Sequence, residues 1–327
     1  MAVDHAQRSE TCYQQQSDRS GFDHPGGPLD EEEGGIYRHQ NPSTHSKPES
    51  AKSVTFLSTL SSVLVLQDFQ TTEVWRAAAV EFIATFAMVF VGTLCTISTL
   101  QTGFHHPVLV IAIFQALTLS LCIQAAAPMS GGHVNPCITW TEMLTGHITP
   151  VRALFYITAQ ALGSIVASLA VKNIVGHTLA WKYMLGGCYL HSQPSPTSQQ
   201  VGLQPGRALL LEIILSFFVL FIAYSVALDP QRLPRTGPRL APFLIGILVG
   251  LCIFAGGNLI PGYAGAGTNP GRCLGPAVAL GKSMWSHHWV FWAGPAVAGL
   301  AMAAMYRVIP PSHLQAYARR NAAILTT

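Results

Sequence analysis

Beyond Trp75 the chain is a succession of apolar runs, and this constrains its fold more than any other feature. A membrane-spanning helix needs about 20 mostly apolar residues. Six segments supply them: 75–100, 107–127, 151–175, 207–228, 240–259 and 286–309. Inside hydrocarbon every backbone N–H and C=O must find a partner within the protein, so these runs fold as helices. Two shorter apolar pieces, 135–145 and 269–280, each open at an Asn-Pro and cannot reach across. At membrane depth such pieces are stable only as re-entrant half-helices, buried in protein or lining an aqueous cavity. Composition agrees: 50% of residues are hydrophobic and 10% charged, where a soluble domain carries about a quarter charged. A further stretch, 51–66, is rich in Ser and Thr and reads as an interfacial or frayed helix rather than a seventh span.

The expected organisation is a polar, largely disordered tail over 1–72, a membrane domain over 73–310 and a short C-terminal tail over 311–327. The GGPLDEEEGG stretch of the first tail is too polar and Gly-rich to build a core. No signal peptide is expected, because the first adequate apolar segment lies far from the start. The net charge of +3 comes without a basic stripe interleaved with aromatics, which argues against nucleic acid as a partner. Arg152, Arg232, Arg235, Arg239, Arg307, Arg319 and Arg320 fall on one side of the membrane if both termini are cytosolic, with Lys182 as a minor exception.

The membrane domain reads as two repeats, about 73–175 and 207–310. Glu81 lies 54 residues before Asn135, and Glu212 lies 57 residues before Asn269. Three spans per repeat is an odd number, so the halves sit in opposite orientation, with the substrate path at their interface near the midplane. A third Asn-Pro, Asn41-Pro42, lies in the polar tail and reads as a turn. The other two follow Gly-rich approaches, SGGHV and AGAGT. Asn is a good N-cap, and Pro suits the first helical position, where an N–H would have no partner. Two half-helices pointing N-terminus first at the midplane make a positive potential there, which opposes protons and cations. The Asn135 and Asn269 amides can then donate to a passing neutral molecule.

From SGGHVNPCITW, GYAGAGTNPGRCLGPA, Gln160 in YITAQALG, and HHWVFWAGP, the chain resembles the aquaporin (major intrinsic protein) family over about 73–310. Leu185-Gly186-Gly187-Cys188 and the Cys273 that follows Arg272 resemble the plant and fungal X intrinsic proteins most. The resemblance implies an all-α fold of six spans and two half-helices, a homotetramer with one pore per subunit, plasma-membrane placement, no cofactor and no catalysis. Cys137 and Gly271 stand where the family usually has Ala after Asn135-Pro136 and Asn269-Pro270. Cys137 is expected to alter the contact between half-helix tips and Gly271 to loosen it.

By the same resemblance Arg272 sits in the outer constriction. Spacing from the boxes adds Gln115 and Ala266, and for the fifth span Ile253 or its neighbour Ala255. None of these is the His that water-selective members use, so the filter is expected to be wider and less polar. Glu81 and Glu212 are intramembrane carboxylates; a proton relay is one reading, and the family's use of them as acceptors for the re-entrant loops is the favoured one. His133 is expected at the cytosolic vestibule. Cys188 and Cys273 both fall toward the extracytosolic side, as a candidate disulfide or, at Cys273, a reactive thiol beside the Arg272 cation. The pairs His105-His106 and His287-His288 read as interface polarity rather than metal ligands, since adjacent helical residues diverge.

The expected function is passive passage of small uncharged solutes (glycerol, urea, boric acid, hydrogen peroxide), of water, or of both. The competing readings are a strictly water-selective channel, a secondary transporter, and a non-conducting structural homologue. A transporter needs intramembrane charges that load ions, and the chain offers few. No HExxH or Gly-x-Ser-Gly pattern supports an intramembrane enzyme.

Overall fold

The computed structural model describes residues 66–191, 202–229, 233–257, 259–260 and 262–308. The expectations for the polar tail up to residue 65, for Asn41-Pro42, Arg232, Arg319 and Arg320, and for 311–327 lie outside them.

Eight helices carry the fold: α1 (Thr72–Thr102), α2 (Pro107–Ser130), α3 (Pro136–Thr145), α4 (Pro150–Lys182), α5 (Pro205–Ala223), α6 (Ala241–Gly256), α7 (Pro270–Leu280) and α8 (Val290–Val308). Proline opens α2, α3, α4, α5 and α7, where its missing N–H costs nothing. Four helices, and α5 with the π-type turn Tyr224–Leu228 that extends it, make the predicted spans. α1, α2, α4, the extended α5 and the stretch Lys282–Val308 are long and apolar enough to cross a membrane. α6 has 16 residues, about 24 Å at ~1.5 Å per residue, short of a ~30 Å hydrocarbon core. α4 runs past its predicted end through a break at Gly176, whose φ is 78°.

Packing displays the inverted repeat. α1 lies against α2 and α4 as α5 lies against α6 and α8. The half-helix α7 packs on α4, and α3 packs on α8, so each repeat's third span supports the other repeat's half-helix. α2 and α6 meet across the pseudo-symmetry axis. These crossings are close because small residues sit at them. A Cβ on Gly163 of α4 would stand 2.5 Å from the Phe82 carbonyl oxygen of α1, and one on Gly250 of α6 would stand 2.9 Å from the Ala112 carbonyl oxygen of α2.

Polarity is inside-out relative to a soluble protein. Glu81, Gln115, Gln160, Glu212, Ser164 and Ser216 are buried, while Ile83, Leu121, Leu210, Ile214, Leu251 and Leu300 are exposed on the outside. Residues 66–70, ahead of the expected domain start, already form a turn on this body. The Phe69 and Trp75 rings pack edge-on against Phe155 of α4, and the Thr149 hydroxyl donates to the Asp68 carboxylate.

Candidate functional site

Two buried glutamates build the two re-entrant loops in the same way. Glu81 of α1 accepts from His133 N at 2.9 Å and Val134 N at 2.7 Å, and also from Ser130 Oγ at 2.7 Å and Gln160 Nε2 at 2.8 Å. Glu212 of α5 accepts from Gly267 N at 2.7 Å, Thr268 N at 3.0 Å and Tyr263 Oη at 2.6 Å. Val134 and Thr268 have φ of 51° and 45°. Left-handed backbone is an outlier for β-branched residues and costs about 1–3 kcal/mol each. The carboxylates offset that strain by holding the strained N–H groups.

Each loop delivers an asparagine to the middle of the body. Asn135 Oδ1 accepts from Cys137 N at 2.8 Å, and Asn269 Oδ1 accepts from Arg272 N at 3.1 Å, so both side chains cap their half-helices. Each amide nitrogen also crosses to the opposite loop: Asn135 Nδ2 donates to Thr268 O at 3.1 Å, and Asn269 Nδ2 to Val134 O at 2.9 Å. The sequence has both amides able to donate to a passing molecule and does not disclose the crossed bonds. Here one N–H of each is spent locking the tips together, leaving the second. Pro136 and Gly271 meet closely, because a Cβ on Gly271 would stand 3.1 Å from Pro136 Cδ. An added methyl at Gly271 would therefore press on Pro136. Cys137 turns away from the opposite tip, its thiol 3.5 Å from the Pro295 carbonyl of α8.

Three cavities run past these residues and share their linings. An outer one of about 150 Å³ is lined by Gln115, Ile253, Ala266 and Arg272 together with Thr96 and Tyr189. A middle one of about 40 Å³ is lined by Asn135, Asn269, Gln115, Ile253 and Arg272 with the apolar Leu119 and Val219. An inner one of about 410 Å³ includes His133, Gln124 and Glu142. Of the two fifth-span alternatives, Ile253 faces the outer and middle cavities, whereas Ala255 lies on the exposed face of α6.

Arg272 closes the outer cavity against the loop after α4. Its guanidinium donates to Gly186 O at 3.1 Å and Ala266 O at 3.2 Å, and reaches Cys188 Sγ at 3.5 Å. Cys188 and Cys273 form a disulfide that ties this loop to the second box. Two further bonds fasten it: His191 N donates to Gly262 O at 2.7 Å, and Ala264 N to Tyr189 O at 3.1 Å. Burial lowers the His191 imidazole from its ordinary value, which favours its neutral form.

Gln115 is wedged between α2 and α1. Its Nε2 donates to Gly92 O at 2.9 Å and Thr96 Oγ1 at 3.1 Å. Gly92 makes the room, since a Cβ there would stand 2.7 Å from Gln115 Oε1. Neither Gly92 nor Thr96 stood out in the sequence, because neither belongs to a motif. Glu142, given no role from the sequence, meets His147 Nδ1 at 3.1 Å beyond the C-terminal end of α3.

Comparison with known proteins agrees with this architecture. Residues 68–306 match the family described as Major intrinsic protein. The chain is 33% identical over 257 residues to Probable aquaporin TIP3-2 of Arabidopsis thaliana, covering 73% of this chain and 87% of that one. It is 34% identical over 230 residues to Aquaporin TIP4-2 of Zea mays, covering 68% and 80%. Among solved structures, the aquaglyceroporin from Plasmodium falciparum superposes with a TM-score of 0.59 at 21% identity, covering 72% of this chain and 96% of that one, which is a likeness of fold. With the two glutamate-held loops, the crossed Asn-Pro caps and the family match over most of its length, this chain belongs to the major intrinsic protein family.

Proposed function

We propose that this pore passes small uncharged solutes carrying both hydrogen-bond donors and acceptors, of the size and chemistry of glycerol, urea, boric acid and hydrogen peroxide, together with water. The broader class is a passive membrane channel for water and small solutes, without catalysis. The orientation of the Gln115 amide carries the finer reading. The Gly92 carbonyl can only accept, so the NH₂ of Gln115 must face it. No described donor reaches Oε1, and that atom is not shut away from solvent. Gln115 therefore offers an acceptor to the outer cavity, and Arg272 offers donors. Ile253 and Ala266 complete the wall with apolar surface suited to a carbon skeleton. A solute that both donates and accepts replaces its lost hydration on two sides at once.

Asn135 and Asn269 orient the solute at the midplane with their remaining N–H groups. Arg272 repels cations at the outer mouth. His133 borders the inner cavity. The disulfide holds the outer loop, and hence the carbonyl of Gly186, on Arg272. Its pairing of Cys188 with Cys273 supports the likeness to the X intrinsic proteins. Arg152, Arg239 and Arg307 at one set of helix ends support cytosolic termini. The polar tails, the homotetramer and the plasma-membrane setting rest on the sequence reading and the resemblance.

Stopped-flow measurements on proteoliposomes test this. The wild-type protein is expected to show flux linear in gradient with low activation energy for water, glycerol, urea and boric acid. Gln115→Leu removes the acceptor and should lower glycerol and urea flux about fivefold, the equivalent of ~1 kcal/mol for one hydrogen bond, with water flux changed less than twofold. Saturable or ion-dependent flux would overturn the channel reading. Water flux alone would restrict the pore to water.

A further inference from the structure

Each half-helix ends beneath a basic side chain from the other repeat's framework. Lys172 of α4 donates through Nζ to Ala279 O at 2.6 Å, and Arg307 of α8 donates through Nη2 to Leu144 O at 2.8 Å. Ala279 is the penultimate residue of α7, and Leu144 is the penultimate residue of α3. Lys172 and Arg307 both lie on the third spanning helix of their repeat, so the two contacts are counterparts. Among the described residues neither cation is paired with a carboxylate. Lys172 is part-buried within a span, a costly position for an ammonium without a function.

We propose that Lys172 and Arg307 are electrostatic caps that strengthen the cation barrier of the pore. A helix carries roughly +0.5 charge at its N-terminus and roughly −0.5 at its C-terminus. The two N-termini meet at Asn135 and Asn269, where they oppose cations. The two negative ends work against them, both by weakening the midplane potential and by drawing cations to the mouths. A full positive charge on the last carbonyls more than cancels each negative end. The midplane then feels the N-termini without their counterpoles. Lys172 and Arg307 line none of the three cavities, so they act through the half-helices.

The two caps are unequal. α7 has 11 residues, so Lys172 stands ~16 Å from the Asn269 cap at ~1.5 Å per residue. At an effective dielectric constant of ~20 a unit charge at that distance changes a cation's barrier by about sixfold in rate. Arg307 is exposed, and solvent screening brings its effect below about twofold.

The test separates charge from hydrogen bonding and from folding. Lys172→Gln keeps an N–H donor without the charge, Lys172→Met removes both, and Lys172→Arg keeps both. Full-length proteins in proteoliposomes are assayed for proton leak under a potassium diffusion potential and for water flux by stopped flow. Lys172→Met and Lys172→Gln are expected to leak about sixfold more than wild type with water flux within twofold, Lys172→Arg to match wild type, and Arg307→Met to leak less than twofold more. Lys172→Gln behaving as wild type would reduce the cap to a hydrogen bond and overturn the proposal. So would loss of thermal stability and water flux with leak unchanged. The inference rests on the channel reading, whose failure is distinguishable as absence of water flux in the wild-type protein.

Discussion

Replacing Glu81 by Gln tests the scaffold that holds the first box, and its effect follows from the four donors around the carboxylate. Ser130 Oγ and His133 N point at Oε1; Val134 N and Gln160 Nε2 point at Oε2. A carboxamide keeps one acceptor oxygen, which serves the first pair. Its NH₂ then faces two donors. Gln160 can rotate its amide and accept, but the Val134 N–H belongs to the backbone and stays unpaired. A buried donor without a partner costs about 1–3 kcal/mol. Lost charge assistance on the two remaining bonds adds about 1–3 kcal/mol more. Relief of the carboxylate's desolvation offsets part of this, so about 2–5 kcal/mol is the expected net loss. At roughly 2–4 °C per kcal/mol for a domain of this size, the melting temperature of the purified protein should fall by about 5–15 °C. Osmotic water flux should fall with it, because Val134 presents the carbonyl that holds Asn269. A Glu81→Gln protein with wild-type melting and water flux would refute the scaffold argument. Normal melting with altered proton flux would instead revive the relay.

Two further perturbations bear on the tips and the outer loop. Cys188→Ser, or reduction of the wild-type protein, opens an 85-residue covalent loop whose closure is worth at most about 4–5 kcal/mol; melting should drop by several degrees and glycerol flux rise about twofold, since Arg272 keeps Gly186 O and Ala266 O but loses the tether, and an unchanged solute profile on reduction would show that the disulfide does not shape the filter. Gly271→Ala places a methyl 3.1 Å from Pro136 Cδ, closer than a rigid proline ring accommodates; it should cost about 1–3 kcal/mol in melting and lower water flux, and a stabilised, more conductive variant would show that the tips had room to spare.

What the sequence could disclose divides along physical lines. The spans were legible because hydrocarbon demands long uninterrupted apolar runs, and α1, α2, α4, α5 and α8 obey it. The short α6 was legible only as a run, since its neighbour α2 rather than its own length secures it. Asn135-Pro136 and Asn269-Pro270 were legible because capping chemistry is local. The matched spacing of Glu81 and Glu212 marked the repeat, and the resemblance implied their re-entrant loop partners, but the Gln160 and Tyr263 contacts were not legible, as they depend on side chains meeting across helices. Spacing left Ile253 and Ala255 as alternatives, and only the helical phase of α6 separates the two. The Gln115 rotamer is set by Gly92, a residue whose sole signal is the absence of a side chain. Arg307 read only as an orientation charge and Lys172 carried no signal at all, because their acceptors are backbone carbonyls of the other repeat.

The symmetry of the scaffold throws its asymmetry into relief. Both loops use a glutamate, a strained β-branched residue and a crossed asparagine, so the midplane belongs equally to the two repeats. Three residues after each asparagine the likeness ends: the second box has Arg272, and the first has Ile138. Ile138 borders the middle and inner cavities, so the inner approach has an apolar wall where the outer one has a cation. The inner cavity is also the larger, about 410 Å³ against about 150 Å³. On the proposed reading, a solute entering from the inner side would keep much of its hydration until it reaches the asparagines, and would be selected beyond them, between Gln115 and Arg272. Selection concentrated at one mouth predicts that substitutions at Gln115 change the ranking of solutes, whereas Ile138→Val, which widens an already wide approach, changes the rates of all of them together by less than about twofold. Stopped-flow flux of water, urea and glycerol through both variants decides it, and a change in ranking with Ile138→Val would place a second filter on the inner side.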